Sequence, residues 1–143
     1  ALPVLQDRFD ALTASVVIGV VWAVWHLPAF VFSVPGYTGS FLLYALLVVG
    51  ISIVLTWLFN NSDGSVLVAM LVHGGVNAAP SLGAAVVENP TAIGVSPYLL
   101  LVIPVWTVAL ALLVRNGRET LSAASAVTSA TGANEHGSTE VTA

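Results

Sequence analysis

The charged positions of this chain are gathered into a few short stretches, and the intervals between them are apolar on every face. No charged residue lies between Asp10 and Asp63, and none between Glu88 and Arg115. A helix crosses a bilayer with about 20 consecutive apolar residues, and these intervals divide into four lengths of that size. The first covers residues 11 to 33 and stops at the turn signal of Pro35 and Gly36. The second covers 41 to 60 and is followed by the polar turn Asn61, Ser62, Asp63 and Gly64. The third runs from about residue 65 to 87, and the fourth from about 95 to 115. A helix of a soluble bundle keeps a polar face toward water, and none of these segments has one.

Composition agrees with this pattern. Hydrophobic residues fill 57% of the 143 positions and charged residues only 7%, against about 25% charged in an ordinary soluble domain. The expected fold is therefore an all-α membrane bundle of about four transmembrane helices. It occupies residues 1–118, and a tail rich in Ala, Ser, Thr and Gly, with too little apolar surface to order itself, is expected over residues 119–143. His136 falls in that tail and reads as solvated. Arg8 precedes the first span and Arg115 and Arg118 follow the fourth, so the positive-inside tendency predicts a multi-pass protein with both ends in the cytoplasm. The opening ALPVLQDRFD has neither a basic leader nor a small-residue cleavage site, and it reads as the interior of a longer chain. With no cysteine, neither disulfides nor Cys-based metal sites arise. The bilayer is the expected partner, and nucleic acid is not.

Three polar side chains stand inside the apolar spans. His26 lies in VVWAVWHLPAF, and His73 and Asn77 lie in VHGGVNAAP. Residues four apart share one helix face, so His73 and Asn77 project together. Gly74 and Gly75 remove bulk beside them, which lets a helix or an extended peptide come close. Helix rise puts His26 about 20 Å along the first span and His73 about 13 Å along the third, close enough in depth to meet near the middle of the bilayer. One reading is an interhelical hydrogen bond. The other is a functional site, because an ionisable group at that depth is costly and needs a partner. Pro28 leaves the Val24 carbonyl without its usual donor and is expected to loosen the helix and make room for water.

The stretch WAVWHLP, with Trp22 four residues before His26, resembles the aromatic-x-x-x-His motif of the CAAX prenyl endopeptidase and bacteriocin-processing family of intramembrane proteases. HGGVN, from His73 to Asn77, resembles the same family's His-x-x-x-Asn motif, and ALPVLQDRFD is similar to the segment that follows its first motif. The resemblance covers about residues 1 to 115. It implies a membrane-embedded endopeptidase acting on a membrane-presented peptide or protein, lipidated or not, with His26, His73 and Asn77 catalytic. Trp22 either walls the substrate pocket or simply packs the span.

The family's first motif, a Glu-Glu pair followed by an Arg, is missing from these residues and is expected just upstream of Ala1. No other carboxylate replaces it: Asp7 and Asp10 lie about 29 and 24 Å along the helix from His26, and Glu88 and Asp63 about 22 and 15 Å from His73. Two chemistries stay open. An upstream glutamate activates water, or His26 and His73 bind a divalent metal such as zinc with a third ligand from the same missing segment. Two other functions also fit the polar residues: a non-catalytic peptide-binding or bacteriocin-immunity protein, and a transporter subunit with His26, His73 and Asn77 along a pathway.

Overall fold

In the computed structural model, residues 1–37, 39–86 and 97–122 are described, without the side chains of residues 79–86 and 97. The described residues are helical, with no strand among them. A short α1 (Leu2–Gln6) leads into α2 (Ala11–Val31), α3 (Phe41–Asn60), α4 (Val66–Val86) and α5 (Pro97–Asn116). α2, α3 and the Tyr98–Asn116 part of α5 are long and apolar enough to cross a membrane, and Val66–Ala78 of α4 is a shorter apolar stretch. The chain is thus an all-α membrane bundle.

α3 is the central helix, packed against α2 on one side and α5 on another, and α4 joins it more lightly. The α2–α3 contact is built from small residues. Ala11, Ser15, Gly19 and Ala23 follow one another at intervals of four and are all buried, so they form one stripe along the helix. In lipid, where water does not drive apolar side chains together, such a stripe lets two backbones approach and gain dispersion contact. The approach is closest at Gly19: a Cβ there would lie 2.8 Å from the Val49 Cα and 3.2 Å from the Ser52 Cβ. One turn away, the Ser52 hydroxyl donates to the Ser15 carbonyl at 2.8 Å.

A second close approach joins α3 to α5. A Cβ on Gly50 would stand 2.8 Å from Val105 and 3.1 Å from the Trp106 indole nitrogen. The space left by that glycine admits the indole, whose N–H donates to the Leu46 carbonyl at 2.9 Å. A buried cluster of Ala11, Ile53, Ala109 and Leu121 closes the bundle at the end where α2 begins and α3 and α5 finish.

Leu121 lies within the stretch that composition assigns to the tail. Residues 118 to 122 instead fold across the end of the bundle, and residues 123–143 lie outside the described residues. The Glu119 and Arg118 carbonyls accept from the Ala11 and Leu12 N–H groups at 2.8 and 3.1 Å. The Asp10 carboxylate accepts from Thr13 N–H at 2.7 Å, and Ala14 N–H reaches the Asp10 carbonyl at 2.9 Å. The Ala11, Leu12 and Thr13 donors that a helix start leaves open are thus satisfied, and Ala14 begins the intrahelical ladder. Asn60 and Asn61 donate to the Thr120 and Leu121 carbonyls at 2.6 and 2.9 Å, and Leu121 is fully buried. Two asparagines and one leucine account for the order of a segment whose composition alone is that of a tail.

Two consequences are measurable. Gly19→Ala puts a methyl group against backbone that cannot move aside alone, and it should lower stability in thermal unfolding of the detergent-solubilised protein by about 1–3 kcal/mol. Asp10 is held below the usual carboxylate range, first by the Thr13 N–H and then by Arg118, whose guanidinium lies 2.9 Å away. A lowered folded value means that the contribution is complete above the ordinary carboxyl range near 4 and is lost as pH falls through the lower folded value. The melting temperature should therefore drop on acidification below about pH 4, and less steeply in Asp10→Asn, which keeps the cap without the titration.

Candidate active site

The small-residue stripe fixes the rotation of α2, and the rotation decides where Trp22 and His26 stand. With Ala23 buried against the bundle, both residues fall beside the α2–α3 seam and are partly buried, while Trp25 is 81% exposed on the outer face. The helix runs through Pro28 to Val31. The room beside that proline is an open groove of about 520 Å³ lined by Val20, Val21, Val24, Trp25 and Pro28. It is apolar and on the outer side of α2, so the space expected there for water is a lipid-facing groove instead.

His26 is held at several points. Its Nδ1 lies 2.9 Å from the Trp22 carbonyl one turn earlier. A carbonyl oxygen only accepts, so Nδ1 carries the hydrogen, and in the neutral imidazole Nε2 is left as the acceptor. Tyr37 and Tyr44 lie beside the ring, with centroids 5.6 and 5.5 Å away. Around them Phe30 packs on Tyr37, Phe41, Tyr44 and Tyr98 at 5.7, 5.4, 5.1 and 6.2 Å. The connection after α2 is clipped to α5 by the Tyr98 hydroxyl, which donates to the Gly36 carbonyl at 3.3 Å.

Trp22 connects the second histidine to the first. Its ring lies 4.9 Å from that of His73 at 30°, close to a stacked arrangement, and 6.4 Å from that of His26. Among the described residues the imidazoles meet through the indole and make no ring contact with each other. The stagger of the helices explains this: His26 is about 22 Å from the start of α2 and His73 about 10 Å from the start of α4, so the expected meeting at one depth is replaced by a bridge. Asn77 sits one turn after His73 and is exposed, as are Gly74, Gly75 and Val76. A Cβ on either glycine would meet nothing within 4 Å. The close neighbour expected beside them is absent among the described residues, and this face of α4 is open.

The donor set bears on a metal. Catalytic zinc takes three protein ligands and a water. Among the described residues no three of His, Cys, Asp and Glu come together, and His26 and His73 each pack on the indole of Trp22. These residues alone do not fit a zinc centre.

Sequence reasoning missed Tyr37 and Tyr44, which adjoin His26, and Tyr98, which packs on Phe30 and Tyr44. They are the only three tyrosines in the chain, and each lies in or near a connection on the same side of the bundle. Tyrosine at such positions ordinarily anchors a helix at the lipid headgroups. Three of them at one end were a signal, although nothing in their spacing tells that they turn inward.

No curated protein and no solved structure matches this chain. A family model described as type II CAAX prenyl endopeptidase Rce1-like does match, over residues 1–79. That stretch contains α1, α2, α3 and the part of α4 that bears the His-x-x-x-Asn motif, and so Trp22, His26, His73 and Asn77 all lie within it. On that match, which covers more than half of the sequence, the chain belongs to the Rce1-like family of type II CAAX prenyl endopeptidases.

Proposed function

We propose that this chain carries the histidine side of an intramembrane endopeptidase site, in which His26, His73 and Asn77 act on a peptide bond of a membrane-presented substrate. The observation that supports it most is the contact of Trp22 with both imidazoles, since it draws together polar residues of two helices that are not neighbours in sequence. A site of this chemistry needs a water, a base for its proton, and donors for the oxyanion of the tetrahedral intermediate. The carboxylates Asp10 and Glu119 sit at the end where α2 begins, and Asp63 sits in the turn before α4. In this reading the base is instead a glutamate of the family's Glu-Glu-x-x-x-Arg motif, preceding Ala1.

The steps follow from the side chains. Glutamate takes a proton from water as its oxygen attacks the scissile carbonyl carbon. His26, through Nε2, and His73 hold the water or the carbonyl in line. The Asn77 amide donates to the oxygen that becomes negative, a contribution of about 3 kcal/mol for such a donor. Collapse of the intermediate breaks the C–N bond, and the protonated glutamate returns its proton to the leaving amine. Trp22 walls the pocket. The open face of α4 around Gly74 and Gly75 gives an extended peptide access beside Asn77. Arg8, Arg115 and Arg118 orient both ends of the chain toward the cytoplasm.

The test uses the full-length native protein in liposomes with membrane-presented peptides, each offered with and without a prenylated cysteine. The wild type should cleave at least one of them. His26→Ala and His73→Ala should abolish cleavage while the protein stays folded, and Asn77→Ala should reduce kcat by about 100- to 1,000-fold. Unchanged cleavage in both histidine variants would sink the assignment. Tight peptide binding with no cleavage by the wild type would favour a non-catalytic binding or immunity protein, and solute flux without proteolysis would favour a transporter subunit.

A further inference from the structure

Tyr44 touches His26 but has no part in the reaction just described. It lies in the first turn of α3 and is partly buried. Its ring meets the imidazole of His26 at 5.5 Å and 51°, Phe30 at 5.1 Å, Tyr37 at 5.9 Å and Tyr98 at 5.6 Å. All of these separations fall in the range of favourable tilted or edge-on aromatic pairs, about 4.5–7 Å. One phenol ring thus ties together α2, the connection after it, α3 and α5.

The hydrogen bond from Nδ1 to the Trp22 carbonyl fixes one atom of the imidazole. It does not by itself stop the ring from swinging about its bond to Cβ, a soft torsion in histidine. A swing of half a turn exchanges the places of nitrogen and carbon and is opposed by loss of that bond. Tyr37 and Tyr44 come from two different parts of the chain and lie within contact of the same ring, so a partial swing drives the imidazole into one of them. Both restraints together keep Nε2 aimed in a single direction.

We infer that Tyr44 is a positioning residue for His26, acting through the packing of its ring to keep Nδ1 on the Trp22 carbonyl and Nε2 presented to substrate. Its catalytic effect rests on the endopeptidase reading above, whereas the orientation of the imidazole does not. Among the described residues the tyrosine hydroxyl of this cluster that makes a hydrogen bond is that of Tyr98, so the ring of Tyr44 rather than its hydroxyl carries the effect.

The experiment pairs 15N NMR of the histidines, on full-length native protein in lipid nanodiscs, with kcat and KM for peptide cleavage. His26→Gln identifies the His26 signals. With the imidazole in its neutral form, wild-type His26 should appear as one tautomer, protonated on Nδ1 and bare on Nε2. Tyr44→Phe should keep both that spectrum and kcat. Tyr44→Leu should give a mixture of tautomers and lower kcat by roughly 10- to 100-fold with KM unchanged, the pattern of a misaligned group and not of weakened binding. Should Tyr44→Leu fail to fold, Tyr37→Leu removes the other flanking ring and should produce the same mixture. A wild-type spectrum and kcat in the leucine variant would overturn the inference, as would damage by Tyr44→Phe equal to that by leucine. If the wild type cleaves no peptide, the endopeptidase reading fails, and the tautomer comparison still decides whether Tyr44 orients His26.

Discussion

The distance between two backbones sets most of this structure. Where α2 crosses α3, Gly19 leaves no room for even one more carbon against Val49, and the hydroxyl of Ser52 reaches a carbonyl of the opposite helix beside it. Lipid offers no hydrophobic force to pull helices together, so contact of this quality and the few hydrogen bonds it permits hold the pair. Once α2 is seated through Ala11, Ser15, Gly19 and Ala23, its rotation is settled. Trp22 and His26 then stand at the seam, and Trp25 and Val24 stand toward lipid.

The two ends of the bundle are built differently. Where α2 starts, small side chains, a buried leucine and backbone hydrogen bonds lock three helices and the following segment together. Toward the other end, aromatic rings fill the space, and most of their contacts are tilted or edge-on. Rings in such contact keep a histidine in place without a polar partner at each edge, which leaves Nε2 available. The compact end supplies the rigidity, and the aromatic end holds the residues that chemistry would use.

Much of the fold was legible because it follows from composition. Helices from 11 to 31, 41 to 60, 66 to 86 and 97 to 116 all lie within two residues of the charge-free lengths. Their facing was hidden: a helix that is apolar all round has almost no periodicity to read. The one marker was the interval of four among Ala11, Ser15, Gly19 and Ala23, easily lost among other small residues. For the candidate site, His26, His73, Asn77 and Trp22 stand out as polar or motif residues in apolar surroundings, but their spacing does not tell that one indole touches both imidazoles. The tyrosines around His26 are distant in sequence, and their convergence depends on how α3 and α5 pack. The order of residues 118 to 122 depends on Asn60 and Asn61, sixty positions away, which local composition does not register.

The clasp over the start of α2 also bears on the order in which the molecule is completed. The Ala11 and Leu12 N–H groups take their partners from Arg118 and Glu119, which a ribosome adds more than a hundred residues later. Until then the first turn of α2 depends on Asp10 and on water. α2 is therefore a helix whose beginning is finished only after α5 is made, sealed by a segment that has just cleared α5. Synthesis leaves that end of the bundle open to solvent and lipid headgroups until α5 has been laid down.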